Sequence, residues 1–433
     1  MPHMIEPHAM VLPNGVRLLV GQAPHAGTCS VAVFVRWGSV NESARTNGIG
    51  HVLEHMAFKG TLVEDAEGSR MRDARQVNLE AERLGAEVNA HTDKDHTAFY
   101  MRGLPQHAGR MLSMLSEIVL HPSLPADELE RERQVLLQEF AEDEDDPVST
   151  AFKLFDKASF GMHAAAQPVM GTRRNLERFT RDDLVAHRAA GYVAGQVVVG
   201  IVGAVAPHQM HREAERAFAA MPAGTATPID EPAWRGDVLT RALTGSSQSH
   251  LALGFPVPSR RADDPVATVA AALLGEGMSS PLLDRVREQR GLAYYTACSA
   301  DVLDLCGQFV VEASMAPEDA EPLVREVMAL LREHAAHPAP ADLDRARQQL
   351  AVRALRAQER GLRWLEDRAL EWMATGRLRP EAERAARLQA VGAEDVRVFF
   401  AQLLQHAPAL ALTGAVGRGM RDRLRRALEA SAA

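Results

Sequence analysis

The chain has 433 residues, of which 46% are hydrophobic and 24% charged, the proportions of a globular protein too long for one ordinary core. With 48 basic and 57 acidic residues the formal net charge is −9, which speaks against a nucleic-acid binder, a function that needs a basic footprint. Cys29, Cys298 and Cys306 are an odd set without CxxC spacing, so free thiols are expected rather than a disulfide framework or a structural zinc knuckle. The N-terminus lacks the basic start and apolar run of a signal peptide, and no later stretch of about 18 apolar residues predicts a membrane span. A cytoplasmic protein is the expectation.

In chain order, residues 15–20 alternate as a strand, and residues 29–36 are rich in β-branched residues and end near Gly38. A helix is expected from about Gly48. Residues 76–84 read as helix, Gly85 breaks it, and 97–101 return to strand. Helical periodicity over 107–120 stops at His121 and Pro122 and restarts after Pro125, with Asp127 as the expected N-cap of a helix running towards Phe140. Pro222, Gly224, Pro228 and Pro232 mark a break. It divides the chain into a domain over 1–222, a linker of about 223–235 and a second domain over 236–433.

The second domain repeats the first. Residues 247–255 form a strand like that at 29–35, and a helix follows from about Pro265. Ala98 to Met101, then Pro105 and a helix, correspond to Phe309 to Glu312, then Pro317 and a helix. Pro125-Ala-Asp127 with 129–134 matches Pro340-Ala-Asp342 with 343–348. Duplication at this period predicts an α+β fold of two homologous units rather than a short-repeat solenoid. The copies differ in one respect that bears on function: no histidine occurs between Ala262 and Gly291, so only the first unit can carry a histidine-based site there.

That site is His51-Val-Leu-Glu54-His55, within an apolar stretch suited to a buried helix. Residues four apart share one helical face, so both histidines can reach a single ion with Glu54 beside them. A catalytic zinc needs three protein ligands and an open position, and the pair supplies two. Glu54 can then serve as general base towards water, which is the chemistry of peptide-bond hydrolysis. Glu128, Glu130 and Glu132, on the helix after Asp127, are carboxylates from which a third ligand can come.

The inverted His-x-x-Glu-His order resembles that of the pitrilysin, insulin-degrading enzyme and mitochondrial processing peptidase family. The resemblance implies α/β-sandwich-like units, each a mostly antiparallel sheet with helices packed on it. It also implies a downstream glutamate as third ligand. Glu130, with 74 residues between it and His55, is the preferred candidate on its surrounding segment, and Glu132 is the alternative. Residues 85–92 with 97–100 resemble the family's edge strand, which pairs with the substrate backbone; Asn89 and Ala90 are the candidate substrate contacts. Residues 286–294 resemble the segment carrying its arginine and tyrosine pair, so Arg287 and Tyr294 are expected to bind the substrate carbonyl and stabilise the oxyanion.

The resemblance thus implies a metalloendopeptidase holding one zinc per chain and cutting short unfolded peptides. A protease dedicated to one precursor or leader peptide, and an inactive structural homologue, are the alternatives. The largest relatives have four such domains and this chain two, so a homodimer is expected. A heterodimer with an inactive homologue is the other possible assembly, and neither a nucleic acid nor a membrane is expected as a partner.

Overall fold

The thirteen strands of the described residues, with their bounds, place the core before any helix is considered. β1 (Pro7–Val11), β2 (Arg17–Gln22) and β3 (Cys29–Val35) open the chain; β4 (Gly60–Asp65) and β5 (Gly68–Asp73) form a separate hairpin; β6 (Glu87–Thr92), β7 (Thr97–Gly103) and β8 (Val197–Gly203) complete the first sheet. Its order is β1-β2-β8-β3-β7-β6. β3 and β8, with sequences CSVAVFV and VVVGIVG, are buried at every position. Such unbroken apolar runs suit interior strands covered on both faces. The second sheet holds β9 (Val238–Ala242), β10 (Ser249–Val257), β11 (Tyr295–Val302), β12 (Gly307–Met315) and β13 (Ala409–Gly414), in the order β11-β12-β10-β13-β9. The structure is a computed structural model and describes residues 5, 7–65, 68–225 and 228–432.

Without β1, the first order reads β2-β8-β3-β7-β6, and the second, read from β9 as β9-β13-β10-β12-β11, repeats it strand for strand. In each sheet one pair is parallel, β2 with β8 and β9 with β13, and the remaining pairs are antiparallel. The expected α+β fold of two homologous, mostly antiparallel units is therefore the fold observed.

The expected single boundary at 223–235 separates the two sheets but not the two compact units. One unit is Met1–Phe140, Pro168–Ile229 and Arg356–Glu381; the other is Ala141–Gln167, Asp230–Leu355 and Ala382–Ala433. The reason lies in the second face of each sheet. In the first unit, α1 (Ile49–Ala57), α2 (Ala74–Arg83) and α3 (Ala108–Leu120) contribute to the core on one face. The other face, with Leu19, Ala32, Phe34, Ala98 and Val198, is covered by Trp364, Leu365, Ala369 and Met373 of the late helix Gly361–Thr375. Gly21 and Gly200 make room for this helix, since a Cβ at either would lie 2.6 Å from the Trp364 ring or 2.9 Å from Leu365. In the second unit, α4 (Ala126–Asp145) has ended and α5 (Pro147–Phe160) covers Ala252, Val310, Ala409 and Ala411 with Phe155 and Ala158. Gly254 is the matching bare position, where a Cβ would stand 2.7 Å from the Phe155 ring.

Two local expectations also shift. α4 begins at Ala126, so Asp127 lies in its first turn rather than at its N-cap; Asp127 and Glu128 there favour the positive end of the helix dipole. The helix also continues past Phe140 to Asp145. All three cysteines are free. No helix among the described residues is long and apolar enough to cross a membrane.

Candidate metal centre

α1 is short, and its sequence divides cleanly into two faces. Ile49, Val52, Leu53 and Met56 are buried in the core, while His51, Glu54 and His55 lie on the flank that stays partly open. Spacings of three and four residues put those polar groups side by side. Gly48 starts the helix at φ 97° and packs against Gly171, so no side chain fits at its N-cap. The capping acceptor comes instead from Glu42. This carboxylate, 3% exposed, accepts from the backbone amides of Gly48 at 2.7 Å and Gly50 at 2.8 Å and from the Asn47 side chain at 3.1 Å. Burial pushes its carboxyl up to about 7 against the opposing pull of these bonds. Glu42→Ala strips two buried amides of their acceptor and is expected to lower stability by about 2–3 kcal/mol in urea unfolding. A loss below about 0.5 kcal/mol would show that the helix is held by its packing alone.

The two imidazoles meet at their Nε2 atoms, 3.2 Å apart. The carboxylate that joins them is Glu139, whose Oε2 lies 3.4 Å from His55 Nε2 and 3.8 Å from His51 Nε2. Glu130 does not complete the set. It is 68% exposed on another face of α4, where its carboxylate binds Arg133 at 2.9 Å. Helix phase gives the reason. The inward positions of α4 are Leu129, Glu132 and Leu136, so Glu139 follows Glu132 by two turns on the same side, whereas Glu130 is rotated away. Glu132, the alternative, reaches the other nitrogen: its Oε1 lies 2.9 Å from His55 Nδ1, and Lys59 holds its second oxygen. Burial alone would raise the Glu132 carboxyl, but Lys59 and His55 keep it below the ordinary range. It therefore fixes the His55 ring with Nε2 free for an ion, as a carboxylate behind a ligating histidine does.

Edges of 3.2, 3.4 and 3.8 Å among the three ligand atoms match a tetrahedral zinc site, where bonds of about 2.0–2.1 Å set neighbouring ligands about 3.3 Å apart. Glu54 stands beside this triangle without joining it. Its Oε2 accepts from Thr92 Oγ1 at 2.7 Å, and burial pushes its carboxyl up. Sequence reasoning missed Glu139, Thr92 and Glu42. The first was recoverable from the spacing of Leu129, Glu132, Leu136 and Glu139, a stripe with steps of three and four; the other two depend on contacts between elements.

β6, with Asn89 and Ala90, is the edge strand of the first sheet. Asn89 is exposed, and its side-chain oxygen accepts from the Ala90 amide at 2.8 Å. In the second unit, Arg285 and Arg290 are engaged by Glu326, and Tyr295 bonds Glu312 at 3.0 Å. Arg287 is 43% exposed and its side chain faces its chain neighbour Glu288 at 3.6 Å, while Tyr294 is 78% exposed. Of the candidate arginines and tyrosines there, those two are the ones held least by their own unit.

The family model for insulinase (peptidase family M16) matches residues 17–173, and that for the peptidase M16 inactive domain matches 178–350. A Bacillus subtilis protein named an uncharacterized zinc protease is 33% identical over 285 residues, covering 65% of this chain and 67% of that one. A Mycobacterium leprae protein of the same description is 31% identical over 327 residues, covering 73% of this chain and 72% of that one. Among solved structures, a peptidase M16 inactive domain from Pseudomonas fluorescens aligns with a TM-score of 0.85 at 22% identity over 95% of this chain and 99% of that one. A protease from Helicobacter pylori aligns equally well, at 0.85 and 21% identity over 95% and 100%. At such identities the structural likeness speaks for the fold alone. The sequence matches carry the classification, and by them this chain belongs to peptidase family M16, the insulinase and pitrilysin family.

Proposed function

We propose that the chain is a zinc-dependent endopeptidase cutting internal bonds of short unfolded peptides, with His51, His55 and Glu139 holding the metal and Glu54 as general base. The observation that carries this is the convergence of two imidazole Nε2 atoms and one carboxylate oxygen beside an uncoordinated glutamate. Zinc held there supplies Lewis acidity, polarising the scissile carbonyl and acidifying the attacking water. The remaining work falls to the chain. Glu54, oriented by Thr92, accepts the proton of the attacking water and passes it to the departing amine. Glu132 keeps His55 in the tautomer whose Nε2 can ligate.

The open edge of β6 supports substrate binding as an added strand, with Asn89 and Ala90 as contacts, a mode that accepts many side chains. It requires an extended segment, hence an unfolded substrate. Arg287 and Tyr294 are proposed to bind the scissile carbonyl and its oxyanion. The direct test is cleavage of unstructured peptides by the purified protein, abolished by a chelator and restored by zinc. Persistent cleavage without metal would overturn the reading.

The assembly proposed is a homodimer in which each site uses residues of both subunits. Co-expression of inactive Glu54→Gln chains with inactive Tyr294→Phe chains is then expected to restore part of the wild-type activity, because one of the two sites in a mixed dimer is intact. A fully active monomer by mass measurement, or a dimer without complementation, would remove the proposal.

A further inference from the structure

A second group of ligand-type side chains occupies the opposite face of the first sheet. Alternation along β6 turns Ala90 into the core beneath α1 and Thr92 to Glu54. It turns His91 the other way, where its ring lies 6.0 Å from that of Tyr100. His96, in the turn between β6 and β7, is 2% exposed, and its ring stands edge-on to His91 at 5.4 Å. Glu366 arrives from the helix Gly361–Thr375, with Oε1 3.1 Å from His91 Nε2 and 3.6 Å from His96 Nε2. One ligand atom from each residue lies within 4.8 Å of the others.

The surroundings prepare these atoms for a cation. Asp95 Oδ1 is 2.8 Å from His96 Nδ1, so the Nδ1 proton is fixed there and the Nε2 lone pair is turned to the group, the arrangement a carboxylate gives a ligating histidine. Arg363 donates to Glu366 Oε2 at 3.2 Å, which leaves Oε1 for the two imidazoles. His96 Nε2 is buried and makes no hydrogen bond, since 3.6 Å to Glu366 is too long for one. His91, 39% exposed, keeps the group open to solvent.

We infer that His91, His96 and Glu366 form a second zinc site, independent of His51, His55 and Glu139, which fastens the edge strand β6 to the helix Gly361–Thr375. Two neutral imidazoles and one carboxylate are a donor set that zinc accepts, with solvent as fourth ligand. His96 Nε2, buried and without an acceptor at bonding distance, is a polar atom that folded proteins seldom leave unpaired, and zinc would satisfy it together with the other two ligand atoms.

The test is zinc titration of the chelator-stripped full chain against a chromophoric competitor at neutral pH. Two zinc ions per chain are expected for wild type and one for the His51→Ala, His55→Ala double variant. Adding Glu366→Gln to that double variant should abolish the remaining binding. His91→Ala, at the exposed corner, should weaken the same event by at least about tenfold without disturbing the fold seen by circular dichroism. A wild-type chain that binds one zinc, lost with His51 and His55, would uphold the first site and overturn the second. One zinc retained in the double variant and removed by His91→Ala would support the second site whatever the fate of the first.

Discussion

Glu54→Gln is expected to lower peptide hydrolysis by about two to four orders of magnitude while leaving metal at the His51, His55 and Glu139 group, the range associated with a positioned general base. The substitution keeps the side chain's length, and its amide oxygen can still accept from Thr92, which bonds the native carboxylate at 2.7 Å. What it removes is the capacity to take up a proton. Metal retention follows because Glu54 supplies no atom to the ligand triangle. Thr92→Val is the graded companion: losing one hydrogen bond to a charged group, worth about 1.5 kcal/mol, should cost roughly tenfold in rate. Measurement of kcat together with zinc content separates the outcomes. Turnover within tenfold of wild type in Glu54→Gln would reject the assignment of the base, and loss of zinc in that variant would mean that the glutamate supports the metal instead.

The signals legible in the sequence were those that repeat within a single element. His51, Glu54 and His55 share one face of a nine-residue helix, so three letters at fixed offsets suffice to place them together. The duplicated strand and helix pattern likewise gave two units with one topology, because alternation and helical period are local properties. Partners drawn from distant segments were less legible. The sheet-covering helices Pro147–Phe160 and Gly361–Thr375 belong to compact units other than the ones a single cut at 223–235 would give them. An apolar helix face says that something is covered without saying which sheet. Glu42 and Thr92 act on α1 from a loop and from β6, and nothing in their own neighbourhoods marks them.

The third ligand shows the same limit in its sharpest form, and it yields the second large effect: Glu139→Gln is expected to lose stoichiometric zinc at the first site at micromolar concentrations, whereas Glu130→Gln should keep it. The likeness of its surrounding segment selected Glu130 within the family's spacing from His55, yet such a spacing transfers between relatives only if every intervening segment keeps its length. Here the interval contains the β4 and β5 hairpin, Gly60 to Asp73. Helix phase does not depend on that interval. Leu129, Glu132 and Leu136 fix the buried side of α4, and Glu139 continues it towards the histidines at 3.4 and 3.8 Å. Glu130, bound to Arg133 and 68% exposed, has no route to the ion. Glu132→Gln should fall between the two, weakening zinc by about 10–100-fold, because its carboxylate orients His55 rather than ligating. The measurement is competitive zinc titration of the three variants in a background carrying Glu366→Gln, so that only the first site is read. If Glu132→Gln proved more damaging than Glu139→Gln, the ligand and its orienting partner would have to exchange roles. Full zinc retention in Glu139→Gln would remove Glu139 from the ligand set.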